Sequence, residues 1–258
     1  MAPIKILFFD IDGTLLDHAT GAISPNTRKT LQQLHRKGFL LCIATGRGSA
    51  SLPDLEGLHF DAFCTYNGSL CYTQEKILLS NPISPGDVAQ VIRNAAAIGR
   101  PVSLAGRSGF AANGVDKDLS DYFRLADLEL TADPDFDRAA EEDVYQILVG
   151  FREEDRMPLL ENTAAVRLAI SWERAADVVP VSSSKGAAIQ KILEYFHLDA
   201  SQAMAFGDSF NDIEMMQTVG TGIAMGNAPE LLKSIAKDVC GPVSQDGIYH
   251  YCLQHELL

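Results

Sequence analysis

The sequence lacks a long apolar run. No stretch approaches the roughly 18 to 20 apolar residues of a membrane-spanning helix, although 47% of the 258 residues are hydrophobic. The apolar segment near the amino terminus, Ile4–Phe9, is too short for the core of a signal peptide and is interrupted by Asp10. These features predict a cytoplasmic globular protein with a substantial core and no membrane partner.

Positive charge is also in short supply. The chain has 21 Lys and Arg residues against 34 Asp and Glu residues, a formal net charge of −13. Nucleic-acid recognition normally needs a basic face, so we expect no nucleic-acid partner. An anionic small molecule would need a locally positive site on this acidic protein. We expect a monomer or a weak homo-oligomer.

Cysteine and histidine form no recognisable metal motif. The five cysteines are an odd number without a CxxC pair, and the six histidines are scattered without an HExxH motif. Three of the cysteines lie within apolar segments. This usage predicts buried, reduced thiols rather than a disulfide or a zinc site.

What the sequence does contain is an apolar segment that ends in two acids. Asp10 and Asp12 follow the β-prone run Ile4–Phe9. Such a run, ended by a turn signal, is typical of a buried parallel strand, and ligands of open α/β sheets bind beyond the carboxyl ends of these strands. An ordinary strand-to-loop turn is the alternative. A calcium loop is excluded, because Leu15 and Gly21 occupy the positions that need Gly and Glu.

Three further predicted strands also end in polar residues. Their order along the chain, with helices between them, predicts an α/β fold with a doubly wound, Rossmann-like parallel sheet and a site at one edge. The segments and the residues after them are Phe39–Ala44 with Thr45, Gly46 and Arg47, Phe60–Thr65 with Tyr66, Asn67 and Gly68, and Ala203–Phe206 with Asp208, Asn211 and Asp212.

The pattern changes in the middle of the chain. Between residues 83 and 182 the predicted strands are amphipathic, which indicates an α+β domain with an antiparallel sheet. The predicted organisation is a discontinuous core of residues 1–82 and 183–258 with an inserted domain of residues 83–182. Arg107, Asn113 and Trp172 lie beside predicted strand ends of the insertion, where a surface or core role is the alternative to substrate contact.

The acids at the strand ends would repel one another without a cation among them. Asp10, Asp12, Asp208 and Asp212 offer only oxygen ligands, which favours Mg²⁺ over zinc. Lys185, in the first turn of a predicted helix, opposes the helix macrodipole, which indicates a functional role. A metal ion and this lysine would form a positive focus suited to a phosphate group.

Hydrolysis of a phosphate monoester makes a high demand on such a site. Catalysis of this slow reaction must lower the barrier by more than ~20 kcal/mol. General acid catalysis contributes only about 3 to 5 kcal/mol of this. A covalent step combined with metal and cationic stabilisation is therefore the economical hypothesis.

Four motifs, in order, resemble those of the haloacid dehalogenase-like (HAD) superfamily. The SKG helix and two later motifs resemble its Cof-type phosphatases in particular, and the insertion after TYNGS resembles their large α/β (C2-type) cap. The approach to the SKG lysine, PVSSSKG, departs from relatives that carry a glycine before the serine. The motifs are DIDGT at Asp10–Thr14, TGR at Thr45–Arg47, SKG at Ser184–Gly186 and GDSFND at Gly207–Asp212, followed by MGNA at Met225–Ala228 and DG at Asp246–Gly247.

The resemblance implies catalytic and metal-binding roles for the matching residues. Asp10 would be the nucleophile that forms an aspartyl-phosphate, and Asp12 would act as general acid and then as general base. Mg²⁺ would be bound by Asp10, by the backbone carbonyl of Asp12 and by Asp208. Asp212 would orient metal-bound water or Lys185, and Lys185 would also neutralise Asp10.

The same resemblance implies a phosphate site and a substrate class. Thr45, Gly46, Arg47, Lys185 and Asn211 would contact or lie near the phosphoryl group. The predicted function is Mg²⁺-dependent hydrolysis of a small phosphorylated metabolite, a sugar phosphate or a cofactor phosphate. The alternatives are a phosphomutase or phosphotransferase that uses the same intermediate, and a phospho-ligand-binding protein without catalysis.

Overall fold

The computed structural model describes residues 3–55, 57–126 and 128–258. The chain forms two compact units. The first comprises Met1–Gly46, Asp54–Leu79 and Ser184–Leu258, and the second comprises Arg47–Pro53 and Ser80–Ser183. Residues 47–53 were assigned to the core from sequence, but they belong to the second unit because the short 3₁₀ turn Ser49–Ser51 packs against a strand of that unit.

Strands and helices alternate along much of the chain. The strands are β1 (Ile6–Phe9), β2 (Leu16–Asp17), β3 (Ala22–Ile23), β4 (Leu40–Ala44), β5 (Ala62–Thr65), β6 (Leu70–Tyr72), β7 (Ile77–Ser80), β8 (Val102–Gly106), β9 (Gly109–Ala112), β10 (Val144–Gly150), β11 (Val166–Trp172), β12 (Ala175–Pro180), β13 (Ala203–Gly207), β14 (Thr221–Ala224) and β15 (Asp238–Val239). The α-helices are α1 (Pro25–Arg36), α2 (Pro85–Ala97), α3 (Lys117–Arg124), α4 (Phe136–Ala139), α5 (Arg156–Leu160), α6 (Lys185–Phe196), α7 (Ile213–Thr218), α8 (Glu230–Ile235) and α9 (Gly247–Gln254).

The first unit is built on one large sheet, in the order β15-β14-β13-β1-β4-β5-β6-β7. The strands from β15 to β5 pair in parallel, and β6 pairs antiparallel with β5. Every side chain of β1 is fully buried, as expected for a parallel strand that is covered on both faces. The predicted α/β fold with a parallel-dominated sheet is confirmed.

Two helices of the first unit begin at serine caps. The hydroxyl of Ser24 accepts a hydrogen bond from the backbone N–H of Thr27 at the start of α1. The hydroxyl of Ser184 accepts one from Ala187 at the start of α6. Helix α6 begins at Lys185, as predicted, and ends at Phe196 because His197 adopts a left-handed conformation with φ of 55°.

The second unit contains a five-stranded sheet in the order β11-β12-β10-β8-β9, with antiparallel pairing throughout. All seven residues of its central strand β10 are buried, because α2 and α3 both pack against this strand. The apolar core of the unit combines residues such as Val91, Ile147 and Leu159. This antiparallel α+β architecture is the one that the amphipathic strands between residues 83 and 182 predicted.

The three candidate substrate contacts of the second unit have different environments. Asn113 accepts a hydrogen bond from the backbone of Val102 (2.8 Å) and so holds strand β8. Trp172 stacks on Tyr122 with ring centroids 5.9 Å apart, and the guanidinium of Arg174 lies 4.3 Å from its ring. Arg107 is exposed in the turn between β8 and β9. Asn113 and Trp172 therefore have structural contacts within the unit.

The helices and the cysteines of the described residues bear on two of the predictions. Among the described residues, none of the helices has both the length and the apolar character needed to cross a bilayer. All five cysteines are free thiols, of which four are buried and Cys240 is partly buried. This is the arrangement that the odd cysteine count predicted.

Candidate active site

Asp10 lies at the carboxyl end of β1, in the middle of the large sheet. Phe9 stands opposite Phe206 of β13 in the parallel register, and their rings stack with centroids 5.4 Å apart. The backbone N–H of Asp10 donates to the carbonyl of Phe206 at 3.0 Å. Asp10 is 4% exposed. The sheet therefore holds this carboxylate beside the loop that follows β13.

The ammonium group of Lys185 joins Asp10 to Asp212. Its Nζ atom lies 2.8 Å from Oδ1 of Asp10 and 2.7 Å from Oδ1 of Asp212, and the lysine side chain has no exposed surface. Burial lowers the pKa of Lys185, but the two carboxylates outweigh this effect and raise it above its ordinary value. Lys185 therefore stays charged, and its partners offset the unfavourable position at the amino end of α6.

Asp212 also fixes the loop that follows β13. Its second oxygen, Oδ2, accepts hydrogen bonds from the backbone N–H groups of Asp208 and Ser209, both at 2.9 Å. The Asp212 side chain is fully buried. Because one oxygen holds Lys185 and the other holds the backbone of the loop, this carboxylate positions its neighbours.

The carboxylate of Asp208 is oriented from two other parts of the chain. Its Oδ1 accepts a hydrogen bond from the hydroxyl of Thr14 at 2.8 Å, and its Oδ2 accepts one from the amide of Asn227 at 3.3 Å. Asn227 also donates to the carbonyl of Gly13 at 2.9 Å. Gly13 has φ of +81°, and a Cβ atom there would overlap the Asp208 carboxylate. Glycine is therefore required both for the backbone conformation and for the close approach.

The acids of this site outnumber its positive charge. Oxygen atoms of Asp10, Asp208 and Asp212 lie within 4.8 Å of one another. Burial raises the pKa of Asp10 well above its usual range, Lys185 opposes this shift, and the neighbouring acids add to it. Burial, followed by the charge of Asp212, raises the pKa of Asp208 to about 7.

The donor set therefore fits a divalent cation, since such an ion would supply the positive charge that these oxygens lack. Asp212 is fully buried, with one oxygen on Lys185 and the other on two backbone N–H groups, whereas Asp208 is partly exposed. Asp208 is accordingly better placed than Asp212 to be a metal ligand beside Asp10.

Asp12 lies in the tight loop between β1 and β2. The backbone N–H of Leu15 donates to the carbonyl of Ile11 at 2.9 Å, and that of Gly13 donates to Leu16 at 2.9 Å. Asp12 is partly exposed, whereas Asp10 is buried. Its charge is near enough to contribute to the raised pKa of Asp10. The loop thus keeps two acids of different solvent exposure together.

Thr45 and Asn211 lie around a third residue, Asn67. Thr45 is buried after β4, and its carbonyl accepts a hydrogen bond from the backbone N–H of Asn67 at 3.1 Å. The amide of Asn211 donates to Oδ1 of Asn67 at 3.0 Å. A Cβ atom on Gly46 would lie 3.1 to 3.5 Å from these two amides. The Oδ1 atom of Asn211 is buried without a hydrogen-bond partner in the described part of the chain, so it can accept a hydrogen bond from a ligand.

The turn after β5 has an uncommon backbone conformation. Tyr66 and Asn67 both have φ of 52°, and Gly68 has φ of 94°. A Cβ atom on Gly68 would overlap the carbonyl of Ser184, so this turn packs directly on the segment that leads into Lys185. Left-handed non-glycine residues of this kind cost free energy and cluster at functional sites.

Sequence reasoning did not assign roles to Thr14, Asn67 and Asn227, although each falls within a quoted motif. Thr14 ends DIDGT, Asn67 lies in TYNGS and Asn227 lies in MGNA. Their contacts with Asp208 and Asn211 join positions that are far apart in sequence. Arg47, which was predicted to bind phosphate, belongs to the second unit, where its guanidinium donates to the carbonyl of Ser51 at 2.9 Å.

Comparison with known proteins agrees with this fold. The profile of the haloacid dehalogenase-like hydrolases matches residues 7–252. The chain is 32% identical to the YkrA protein of Bacillus subtilis over 257 residues, covering 95% of each chain. It is 30% identical to the HMP-PP phosphatase of Cronobacter sakazakii over 257 residues, covering 94% of this chain and 92% of that one. The structure of the subclass IIB sugar phosphatase BT4131 matches with a TM-score of 0.90 and 27% identity, covering 98% and 100% of the two chains.

The chain belongs to the haloacid dehalogenase-like hydrolase family. The resemblance that the four motifs indicated is therefore confirmed. The predicted enzyme class, a HAD-like phosphoric monoester hydrolase, is also confirmed.

Proposed function

We propose that the protein hydrolyses a small phosphorylated metabolite through an aspartyl-phosphate on Asp10. The buried ammonium of Lys185, held 2.8 Å from Asp10 and 2.7 Å from Asp212, carries this proposal. A phosphoryl group that reaches Asp10 would meet this positive charge at once. Such fixed charge, placed where negative charge develops, is usually the largest single contribution to catalysis.

In the first step, a carboxylate oxygen of Asp10 attacks phosphorus. The bond from phosphorus to the leaving oxygen breaks, and Asp12 donates a proton to that oxygen. Lys185 stabilises charge on the phosphoryl oxygens, while Thr45, Gly46 and Asn211 bind and orient the group. The partly exposed position of Asp12, beside the buried nucleophile, suits an acid that exchanges protons with substrate and water.

In the second step, water hydrolyses the intermediate. Asp12 removes a proton from the attacking water, the bond between phosphorus and Asp10 breaks, and inorganic phosphate leaves. Asp12 is then protonated again for the next cycle. The same carboxyl group thus serves as acid in one step and as base in the other.

Asp10, Asp208 and the backbone carbonyl of Asp12 would hold Mg²⁺. When bound, the ion neutralises charge on the transferring phosphoryl group and on the surrounding carboxylates. The support for this ligand set is the excess of buried acid over positive charge, together with the oxygen-only donors. Thr14 and Asn227 would orient Asp208 for this task, and Asp212 would hold its loop.

The proposed substrate is a sugar phosphate or the phosphate of a cofactor or its precursor. This class is supported by the relatives named as a sugar phosphatase and an HMP-PP phosphatase. A 27% identical protein of Bacillus subtilis is named as a 5-amino-6-(5-phospho-D-ribitylamino)uracil phosphatase. A panel of such phosphates, ranked by kcat/KM in the presence of Mg²⁺, would select among them.

The covalent mechanism is tested with p-nitrophenyl phosphate, whose leaving group needs no protonation. Asp10→Asn should abolish Mg²⁺-dependent phosphate release, whereas Asp17→Asn, a change to a partly exposed acid in β2, should retain it. Asp12→Asn should still form the intermediate but hydrolyse it slowly. It should therefore release a burst of one nitrophenolate per enzyme and accumulate phosphorylated protein.

Two results would contradict this mechanism. Undiminished activity of Asp10→Asn would exclude Asp10 as the nucleophile. An absence of both the burst and the phosphoprotein in Asp12→Asn would exclude the proposed division of roles. A phosphomutase or phosphotransferase would be recognised by its products, because it would yield a phosphorylated isomer or acceptor with little free phosphate.

A further inference from the structure

Two histidines that are distant in sequence meet on the surface of the first unit. The rings of His35 and His59 stack with centroids 4.2 Å apart and planes 29° apart. Nε2 of His59 lies 3.2 Å from Oδ1 of Asp61. One potential ligand atom from each of these three residues lies within 4.8 Å of the other two. We call this set the His35–His59–Asp61 cluster.

The fold fixes the cluster through contacts along one face of α1. Arg28 donates to the carbonyl of Asp54 at 3.1 Å, and one turn later Gln32 donates to the carbonyl of Gly57 at 3.1 Å. His35 follows at the next position on the same face, opposite His59. Asp54, Gly57 and His59 thus all contact the same face of this helix.

The third member of the cluster is held by the sheet. Oδ2 of Asp61 accepts a hydrogen bond from the backbone N–H of Leu41 at 2.8 Å, and the N–H of Asp61 donates to the carbonyl of Leu41 at 2.7 Å. Oδ1 of Asp61 remains directed towards His59. The carboxylate therefore has a fixed orientation before any ligand binds, which reduces the entropic cost of binding.

The cluster lies at the amino ends of the strands, away from the catalytic acids. Helix α1 ends at Arg36 before β4 begins, and Asp61 directly precedes β5. Asp10 follows the carboxyl end of β1, which pairs in parallel with β4. The length of β4 alone separates the amino ends of the parallel strands from their carboxyl ends by about 13 Å. A ligand at the cluster is therefore separate from one at the active site.

The spacing of His59 and Asp61 is compatible with shared coordination of a transition-metal ion. Zn–N and Zn–O bonds of about 2.0–2.2 Å at tetrahedral angles place neighbouring ligand atoms about 3.3–3.5 Å apart. The 3.2 Å between His59 and Asp61 is close to this spacing, and His35 is within reach of both. His35 also lies in the last turn of α1, where the helix macrodipole favours a cation.

We propose that the His35–His59–Asp61 cluster binds a divalent transition-metal ion, with Zn²⁺ as the representative. Two imidazole nitrogens and one carboxylate oxygen form a ligand set that suits zinc, copper or nickel and that Mg²⁺ does not favour. The bound ion links the end of α1 to the segment before β5 and stabilises the folded first unit. The site is independent of phosphatase chemistry.

Zinc titration of the metal-free full-length protein, in the presence of excess Mg²⁺ to occupy the catalytic carboxylates, tests this proposal. Calorimetry should show one Zn²⁺ bound per chain. His35→Ala and His59→Ala should each weaken the affinity by about 10-fold or more. Asp61→Asn should weaken it too while keeping an acceptor for Leu41. His250→Ala, a change at an exposed helical histidine outside the cluster, should bind Zn²⁺ as the wild type does.

Three further measurements separate the cluster from the active site and from misfolding. Asp208→Asn should keep the zinc site, because Asp208 lies at the other edge of the sheet. Zn²⁺ should raise the melting temperature of the wild type and of His250→Ala but not that of His35→Ala. Co²⁺ should give the visible absorption of tetrahedral coordination with the wild type. The same absorption should be missing with His35→Ala.

The proposal is overturned by any of three results. The first is that the wild type binds no Zn²⁺ when Mg²⁺ is in excess. The second is that His35→Ala and His59→Ala bind Zn²⁺ with unchanged affinity. The third is that zinc binding disappears in Asp208→Asn, which would assign the ion to the catalytic acids. None of these results would affect the proposed phosphatase mechanism, which is tested by Asp10 and Asp12.

Discussion

The ammonium of Lys185 lies 2.7 Å from Oδ1 of Asp212, and both side chains are withdrawn from solvent. Replacing Asp212 by Asn would place an amide donor or a neutral oxygen against this cation. Breaking a buried ion pair from one side costs about 3 kcal/mol. We expect Asp212→Asn to lose about that much free energy of unfolding, measured with urea, and to lose most of its activity. Glu194→Gln, which breaks the exposed pair with Lys191, should change neither.

If Asp212→Asn kept both the free energy of unfolding and the activity of the wild type, Asp212 would not position Lys185. Loss of stability alone, with kcat unchanged in the folded fraction, would show that Asp212 serves the fold and not the orientation of Lys185. Measuring kcat well below the unfolding midpoint separates these outcomes.

Gly13 and Gly38 form a matched pair of left-handed glycines. Their φ angles are +81° and +87°, but a Cβ atom on Gly13 would overlap Asp208, whereas one on Gly38 would meet nothing within 4 Å. Alanine at either position should cost about 1–2 kcal/mol of stability from backbone strain. Only Gly13→Ala should also lose Mg²⁺-dependent phosphatase activity, because it displaces the Asp208 carboxylate. Equal activity of the two variants would show that this displacement has no consequence for catalysis.

The hydroxyl of Thr14 orients Asp208 through a hydrogen bond of 2.8 Å. Thr14→Val preserves the shape of the side chain but removes the donor, whereas Thr14→Ser preserves the donor. We expect Thr14→Val to raise the Mg²⁺ concentration required for half-maximal activity by about 10- to 100-fold. Thr14→Ser should need nearly the wild-type concentration. A similar Mg²⁺ requirement in both variants would exclude this hydroxyl as a support for the metal site.

The second unit contains a network of arginines around Asp118 that gives stability a defined pH dependence. Arg100 and Arg152 donate to its carboxylate at 3.0 and 2.9 Å. Burial opposes ionisation, but these hydrogen bonds lower the pKa of Asp118 below its ordinary value of 3.8. The folded state therefore binds fewer protons than the unfolded state. The stabilisation is complete above pH 3.8 and is lost as the pH falls below that value.

Asp118→Asn should accordingly be less stable than the wild type by about 1 kcal/mol or more near neutral pH. The difference should shrink as the pH is lowered through 4 towards 3, since the wild type then loses the same ion pairs. Urea unfolding across this range measures the effect, and Asp137→Asn, a change to an exposed acid of α4, is the control. A difference that stays constant with pH would assign it to packing instead of charge.

The acids of the candidate site could be predicted because Asp10 and Asp208 each follow an apolar run in the sequence. Apolar runs mark β1 and β13, and the carboxyl ends of parallel strands meet at one edge, so Asp10 and Asp208 were expected to lie together. Lys185 was singled out because it breaks a local rule of helix electrostatics. In these cases local sequence and tertiary position are linked by a simple geometric rule.

The supporting contacts could not be predicted in the same way. The hydrogen bond from Thr14 to Asp208 joins residues 194 positions apart, and that from Asn211 to Asn67 joins residues 144 apart. No periodicity specifies such pairs, since they depend on how loops from different strands pack. The same limit applies to the His35–His59–Asp61 cluster. The assignment of residues 47–53 to the second unit likewise depends on the packing of a short turn against β9.

The single carboxylate of Asp212 fixes the distance between two other parts of the site. It spans from the backbone of residues 208 and 209 to the ammonium of Lys185, so one side chain sets the positions of the proposed metal ligand Asp208 and of the proposed phosphate-binding cation Lys185. Inserting or deleting one residue between 208 and 212 would therefore disturb two chemical functions together. The orientation of Asp208 could be changed through Thr14 or Asn227, but the length of this loop could not be changed while Lys185 keeps its place.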